Sequence, residues 1–372
     1  MNKKFWAATF TLTGTIIGAG ILGLPYVFAK SGFLVGAFWV IVLGIILMTT
    51  KLYLGEVCLR TKKTKQLTGL AEKYLGKFAG KLMLFAMAFG IYSALIAYLI
   101  GEGESFSQLI FGTTGYAFYL AIIFWVVMTF LLQRGIEGLK KIETWGVVAV
   151  ILIVAGILIY FFPQVQMQNL FTFNFKEFLF PIGVITFAFL GFTSIPELEM
   201  IFQSEKDKKF LKKSIVVGVL IPIIIYLVFP MVFVGIIDGE ILEVATLSFG
   251  PIVALLGIFT MLTSYFILSF SLRDTFKYDL KTSKLKTFFW VSVFPIAVYI
   301  LIHLIKMDSF VNLLGVGGVV SGGLTGILIL LMNRKAKMKS DKKPQYEIPI
   351  NWFIIALFSL VFILGVVGEL MF

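Results

Sequence analysis

Long apolar stretches alternate with short basic segments along almost the whole chain. A membrane-spanning helix needs roughly 20 apolar residues, and the pattern predicts eleven such helices. Their predicted ranges are 5–28, 32–57, 81–109, 116–132, 143–162, 178–202, 214–236, 248–272, 286–305, 309–332 and 350–371. The polar segments between them, the longest being 58–80, 203–213, 273–285 and 333–349, are predicted connectors. The pattern therefore predicts an all-α polytopic membrane protein.

Composition agrees with this class. Hydrophobic residues make up 59% of the chain and charged residues 14%, and the mean hydropathy is +0.99. A soluble domain could not bury so much apolar surface. The lipid bilayer is thus the first expected partner of this chain.

Two of the predicted helices are interrupted at matching positions. The first contains TIIGAGILGLP from Thr15 to Pro25, and the sixth contains TFAFLGFTSIP from Thr186 to Pro196. A shift of 171 residues aligns the threonine, the central glycine and the proline of the two segments. Five helices separate the two starting points, so the matching helices run in opposite directions. This arrangement predicts an inverted-topology repeat, the alternative being a chance match of residues that are common in membrane helices.

The repeat divides the chain into three predicted parts. Residues 1–162 form a first five-helix repeat, and residues 163–332 form a second, inverted one. Residues 333–372 hold a cytoplasmic loop and the eleventh helix.

The basic residues predict the orientation of the helices. The chain has 32 Lys and Arg residues. If the amino terminus is cytoplasmic, only Lys30, Lys176 and Lys306 lie outside, and all the others, including Lys51, are counted on the inner side. Lys and Arg are enriched in cytoplasmic loops. We therefore expect a plasma-membrane protein with its amino terminus inside and its carboxyl terminus outside. The net charge of +12 fits loops beside anionic lipid, and no nucleic-acid partner is expected.

An interrupted membrane helix exposes polar backbone groups that hydrocarbon cannot satisfy. Small residues from Gly18 to Gly20 allow a ligand to approach the backbone, and the amides of the following half-helix suit a carboxylate. Freed carbonyls over residues 190–194 can accept hydrogen bonds from an ammonium group. The two interruptions together predict a site for a zwitterion.

Three sequence segments carry a resemblance to a known family. They are GAGILGLPY from Gly18 to Tyr26, the aromatic run from Phe187 to Gly191 that leads to Pro196, and LAEKYLGK from Leu70 to Lys77. They resemble the amino acid/auxin permease family of the amino acid, polyamine and organocation superfamily. The resemblance implies the five-plus-five leucine-transporter fold with broken helices 1 and 6, and secondary active transport of an amino acid by alternating access.

The same resemblance implies the positions of the substrate site. One wall would be the first interruption, formed by Thr15, Gly18, Ala19, Gly20 and Ile21. The opposite wall, with a phenylalanine as gate or side-chain pocket, would be formed by Phe187, Phe189, Gly191 and Phe192. Tyr92 in the third helix is a further candidate, although a hydroxyl bonded within the bundle explains it equally well.

Hydroxyls in the eighth helix suggest a site for a coupling ion. Thr260, Thr263 and Ser264 share one helix face, level with the Gly14–Ile17 stretch of the first helix. The resemblance to sodium-coupled relatives implies a Na⁺ site formed by Gly14, Ile17, Thr260, Thr263 and Ser264. The alternative is that the hydroxyls only bond the carbonyl one turn back. No other cofactor is expected.

Cation-coupled transport of an amino acid is the expected function, and the sequence leaves three alternatives. A proton-coupled carrier needs a titratable group near its site, and no such residue is expected near the middle of a span. A proton-coupled carrier of another small carboxylate or amine, using a group such as Glu197, is therefore the alternative and not the first expectation. Because no acidic residue is expected near the middle of a span, a neutral amino acid is the expected substrate. A membrane enzyme is disfavoured because no nucleophile motif or metal-ligand cluster is found. A channel would need charged rings or a filter loop, and the sequence shows neither.

Overall fold

The computed structural model describes residues 3–62, 65–134, 152, 154–202, 204–237 and 241–371. Regular structure within these ranges is helical. The helices, numbered α1 to α17 in chain order, are Lys3–Ile16, Leu24–Ser31, Phe33–Arg60, Leu67–Leu75, Lys77–Phe111, Ala117–Arg134, Val154–Gln164, Pro181–Ala188, Ser194–Ile201, Glu205–Lys208, Phe210–Ile236, Pro251–Asp274, Lys284–Phe288, Phe294–Leu304, Phe310–Gly317, Gly323–Met338 and Trp352–Met371. Turns of π-helix follow α12 and join α13 to α14 and α15 to α16.

Eight helical stretches of the described residues are long and apolar enough to cross a membrane. They are Phe33–Arg60, Lys77–Phe111, Ala117–Arg134, Phe210–Ile236, Val253–Lys277, Lys284–Leu304, Phe310–Met338 and Trp352–Met371. The bent pair Lys3–Ile16 and Ala19–Ser31 gives a ninth. The predicted all-helical, polytopic class is therefore confirmed.

Two predicted spans are not among these nine. Most of the fifth, 143–162, falls outside the described residues, which resume continuously at 154. The sixth, 178–202, consists of α8 and α9, which have eight residues each and lie on either side of a break. A half-helix of eight residues spans only about 12 Å, so neither half can cross a bilayer alone.

Both predicted interruptions are present. Helix α1 ends at Ile16, Gly18 is extended, and the chain continues through a 3₁₀ turn into α2 at an angle of 46°. The second break separates α8 from α9, and Gly191 within it has a φ of +110°. Only glycine adopts this backbone conformation without strain.

Helix α8, which leads into the second break, packs closely against the glycine-rich segment that joins α15 to α16. A β-carbon at Gly318 would clash with the Gly183 carbonyl of α8 and would lie 2.7 Å from the Phe187 nitrogen. A β-carbon at Gly322 would lie 2.6 Å from the Thr186 side chain. Glycine at these positions lets the two helices touch through their backbones.

A buried ion-pair network lies at the end of α3. Glu56 is fully buried and accepts hydrogen bonds or ion pairs from the Arg60 guanidinium at 2.9 Å, the Lys337 ammonium at 2.9 Å and the Ile348 amide at 3.0 Å. Arg60 also contacts the more exposed Glu347 at 2.9 Å. The network joins α3, α16 and the segment before α17.

The beginning of α1 is tied to the segment before α11. The Lys4 ammonium lies 3.0 Å from the Asp207 carboxylate. This hydrogen bond, with another from Ser204, holds the pKa of Asp207 below its usual range. Lys4 and Asp207 therefore lie on the same side of the helix bundle, as the predicted topology requires of them.

Candidate functional site

A cavity of about 970 Å³ lies between the two breaks. Its wall is built from both broken helices and from α5, α12 and α16. Eleven of the fifteen residues predicted for substrate or ion line it: Gly14, Thr15, Ile17, Gly18, Gly20, Phe187, Gly191, Phe192, Thr260, Thr263 and Ser264. The fold thus brings two distant parts of the sequence into one chamber.

The cavity extends from the breaks toward the start of α1. Phe10 and Thr11 of α1 line this part, together with Glu197 of α9 and Ser271 of α12. On the other side of the break, Leu22 and Leu24 are fully buried. The chamber therefore extends from the breaks toward the side of the bundle on which α1 begins.

The two breaks touch each other directly. A β-carbon at Gly191 would lie 3.2 Å from the Ile16 side chain, and one at Gly20 would lie 3.0 Å from the Ala188 Cα. Gly20 therefore serves close packing as well as lining the cavity. A β-carbon at Gly18, in contrast, would meet only the Ser264 Oγ, at 3.7 Å. Gly18 is the break glycine that faces open space.

Two side chains bind the carbonyls freed by the breaks. The Tyr226 hydroxyl of α11 lies 2.8 Å from the Ile16 oxygen and 2.9 Å from the Ala188 oxygen. A hydroxyl has one proton to donate, so Tyr226 serves one carbonyl at a time and links the two breaks. The Lys51 ammonium of α3 donates to the Phe189 oxygen at 2.7 Å.

The structure corrects the expectation that no titratable group lies deep within a span. Lys51, counted as an inner-side residue, is fully buried and lies roughly 14 Å along α3 from its end at 1.5 Å per residue. Glu102 of α5 is also fully buried, and neither carboxyl oxygen has a hydrogen-bond partner in the described part of the chain. In the sequence, the feature that could have indicated a buried Lys51 is its position as a single lysine within an otherwise apolar run.

The hydroxyls predicted for an ion face the first break. Ser264 lies beside Gly18 and hydrogen bonds with Tyr98 of α5. Thr263 donates to the Phe259 oxygen at 2.9 Å, with the Thr260 oxygen at 3.1 Å, and Thr260 donates to the Leu256 oxygen at 2.7 Å. The protons of the two threonine hydroxyls therefore bond within the helix, while their oxygen lone pairs stay available to a cation.

Four predicted site residues lie outside the cavity wall. Ala19 and Ile21 are buried in the bundle. Phe189 is fully buried behind the cavity and packs edge-on against Tyr226 at 4.9 Å between ring centroids. Tyr92 points toward α14, where its hydroxyl donates to the Trp290 oxygen at 3.0 Å and its ring packs against Phe294. This is the packing alternative that its sequence position left open.

A chamber between two broken helices, lined by backbone and hydroxyl groups as well as apolar side chains, is typical of membrane proteins that bind small molecules within the bilayer. Residues 1–271 match the tryptophan/tyrosine permease family. The match covers well over half of the chain, and the chain belongs to this family of amino acid permeases. It is accordingly not an enzyme.

The chain is similar to several transport proteins, with about a quarter of the aligned residues identical. Glutamine transporter 2 of Aliivibrio fischeri is 26% identical over 340 residues, which cover 86% of each chain. Tyrosine-specific transport system 1 of Haemophilus influenzae is 26% identical over 66% of this chain and 61% of its own. The low affinity tryptophan permease of Escherichia coli is 25% identical over 73% of this chain and 67% of its own.

Proposed function

We propose that this protein is a secondary active transporter that takes up neutral amino acids by alternating access, coupled to a cation. The cavity between the two breaks carries this proposal. Its size of about 970 Å³ accommodates an amino acid with water, and its wall combines backbone groups, hydroxyls and the Phe187 and Phe192 rings. The names of the relatives, which specify glutamine, tyrosine and tryptophan, support substrates without net charge.

We also propose the five-plus-five inverted repeat of the leucine-transporter fold with eleven spans, within the wider amino acid/auxin permease group. The two breaks and their direct contact support it. Counting α8 with α9 as one broken span, and the segment ending at α7 as another, gives the eleven predicted from the sequence.

Counterflow in liposomes tests the proposed transport. Vesicles with the purified protein would be preloaded with unlabelled glutamine, tyrosine or tryptophan and diluted into the same labelled amino acid. We expect transient accumulation of label for at least one of them. A channel would equilibrate the label without overshoot, so equilibration alone, or no uptake of any of the three, would contradict the proposal.

The proposed orientation places the amino terminus in the cytoplasm. It predicts that a cysteine at Lys209 is hidden from an impermeant thiol reagent added to whole cells, and that a cysteine at Lys176 reacts. Both native side chains are exposed, and the native Cys58 is buried and gives little background. Labelling of both positions from outside would exclude this topology.

The proposed coupling ion is sodium at Gly14, Ile17, Thr260, Thr263 and Ser264. Replacing Thr263 and Ser264 together with alanine removes two oxygen ligands, and we expect uptake to lose its sodium dependence or to stop. Thr49→Ala is a matched control, because the Thr49 hydroxyl donates to the Ile45 carbonyl on an exposed helix face. Uptake with only a sodium gradient imposed decides the matter: an unchanged response in the double variant would reject this site.

Proton coupling is a second candidate because of Glu102. Its fully buried carboxyl group has no hydrogen-bond partner among the described residues, and a buried charge without a partner is costly. It is one helical turn from Tyr98, which lines the cavity. Uptake driven by a pH gradient in sodium-free buffer, and lost in Glu102→Gln, would favour this candidate over sodium.

A further inference from the structure

Lys51 brings a positive charge to the second break from a neighbouring helix. No part of its side chain is accessible, its ammonium donates to the Phe189 oxygen at 2.7 Å, and the nitrogen lies 4.8 Å from the centroid of the Phe192 ring. Phe189 follows the last residue of α8. The ammonium therefore occupies the carbonyl immediately before the 190–194 stretch, where the sequence predicts that a substrate ammonium would bind.

Three features of this position stabilise the charged form of the amine. The Phe189 carbonyl is at the carboxyl end of α8, where the helix dipole favours a cation. The hydrogen bond is charge-assisted, and the ring face of Phe192 adds a cation–π contact. Burial opposes the charge.

No acidic side chain forms an ion pair with Lys51 in the described part of the chain. Glu56, one turn further along α3, is engaged by Arg60 and Lys337. Glu199 of α9 is paired with Lys208 at 2.8 Å. The Lys51 ammonium therefore has no ion-pair partner among the described residues, and the acidic residue that shares the cavity with a substrate is Glu197, in the part toward the start of α1.

The cavity lies within reach of this charge. Phe192 contacts the Lys51 ammonium and also lines the cavity, so a single aromatic ring separates the two. Apolar surroundings screen a charge far less than water does. The α-ammonium is common to all amino acids, so repulsion by Lys51 distinguishes them only by the charge of the side chain, and a cationic side chain is the one that is disfavoured.

We propose that Lys51 sets the charge class of the substrate, so that the site accepts amino acids with uncharged or anionic side chains and rejects those with cationic side chains. This inference rests on the proposed amino acid transport and adds to it the residue responsible for selectivity. Lys51 acts through space from behind Phe192, as a specificity-determining residue that does not line the cavity itself.

Tyr226 provides the comparison that separates charge from hydrogen bonding. Like Lys51, it donates to a carbonyl at the second break, but it carries no charge. Lys51 belongs to the second helix of the first predicted repeat, and Tyr226 belongs to the second helix of the inverted repeat. Removing the Tyr226 hydroxyl therefore removes a similar contact without changing the charge of the site.

The test is competition in counterflow with the unaltered protein. The tracer is whichever of labelled glutamine, tyrosine or tryptophan the protein accumulates, and the competitors are norleucine, lysine and 2-aminoadipate, which have similar lengths and differ in side-chain charge. We expect lysine to compete at least about tenfold less well than norleucine and less well than 2-aminoadipate. Equal rejection of both charged competitors, or equal competition by lysine and norleucine, would overturn the inference.

Variants then assign the effect to Lys51. Lys51→Gln keeps a donor but removes the charge. The selectivity gap is the ratio by which norleucine competes better than lysine, and we expect this variant to narrow it by about 10- to 100-fold. Lys51→Arg and Tyr226→Phe should keep the gap of the unaltered protein. A full gap in Lys51→Gln, or in Lys51→Met if the glutamine variant does not fold, would reject the role of Lys51. Absence of any tracer accumulation by the unaltered protein would instead reject the proposed transport.

Discussion

Replacing Gly18 with valine is expected to abolish transport while the protein still folds. A β-carbon at this position would meet only the Ser264 Oγ, at 3.7 Å, which is an ordinary contact distance. The extended backbone of Gly18, with a φ of −112°, is also one that valine adopts readily. The branched side chain would therefore project into the cavity, where the proposed substrate approaches the backbone. Counterflow and thermal unfolding of the same preparation would measure both effects.

Gly20→Val is the informative contrast to this variant. A β-carbon at Gly20 would lie 3.0 Å from the Ala188 Cα and 3.2 Å from the Phe187 ring. The larger side chain would push the two broken helices apart, so we expect a loss of stability as well as of transport.

Normal apparent affinity for the tracer in Gly18→Val would show that the first break does not hold the substrate.

Replacing Glu56 with glutamine is expected to destabilise the protein by about 3–5 kcal/mol. The carboxylate is fully buried and serves Arg60, Lys337 and the Ile348 amide. The neutral amide leaves the Lys337 ammonium without its anionic partner and Arg60 with only the more exposed Glu347, and it can accept fewer hydrogen bonds. The apparent midpoint of thermal unfolding in detergent should fall sharply.

Glu347→Gln is the matched control for the buried network. Glu347 contacts the same Arg60 at the same distance of 2.9 Å, but its side chain is 57% exposed. An exposed ion pair contributes about 1 kcal/mol or less, so this variant should unfold close to the unaltered protein. Similar midpoints for the two variants would mean that burial of Glu56 does not strengthen its contacts.

The sequence allowed the positions of both breaks to be predicted because glycine and proline act locally. Gly191 has a positive φ, and Gly18 is extended directly after the end of α1. The shared face of Thr260, Thr263 and Ser264 could also be predicted, because helix periodicity fixes it. The membrane class followed from composition in the same way.

Side-chain directions across helices could not be predicted. Phe189 turns away from the cavity and Tyr92 faces α14, because neighbouring helices decide which side of a span is inside. Lys51 and Tyr226 were missed as partners of the breaks for a related reason. They come from α3 and α11, and only the folded packing brings their polar ends to the carbonyls at Phe189 and Ala188.

Substrate protection of a cysteine in the cavity tests most directly whether the chamber between the breaks is the amino acid site. Ser321 lines the cavity, and Ser321→Cys is a conservative change. The alkylation rate of this cysteine by a small thiol reagent would be measured with and without a transported amino acid, and Lys209→Cys would report any general effect. We expect the amino acid to slow alkylation at position 321 and not at 209. Unchanged alkylation of both at a concentration that saturates transport would place the substrate elsewhere.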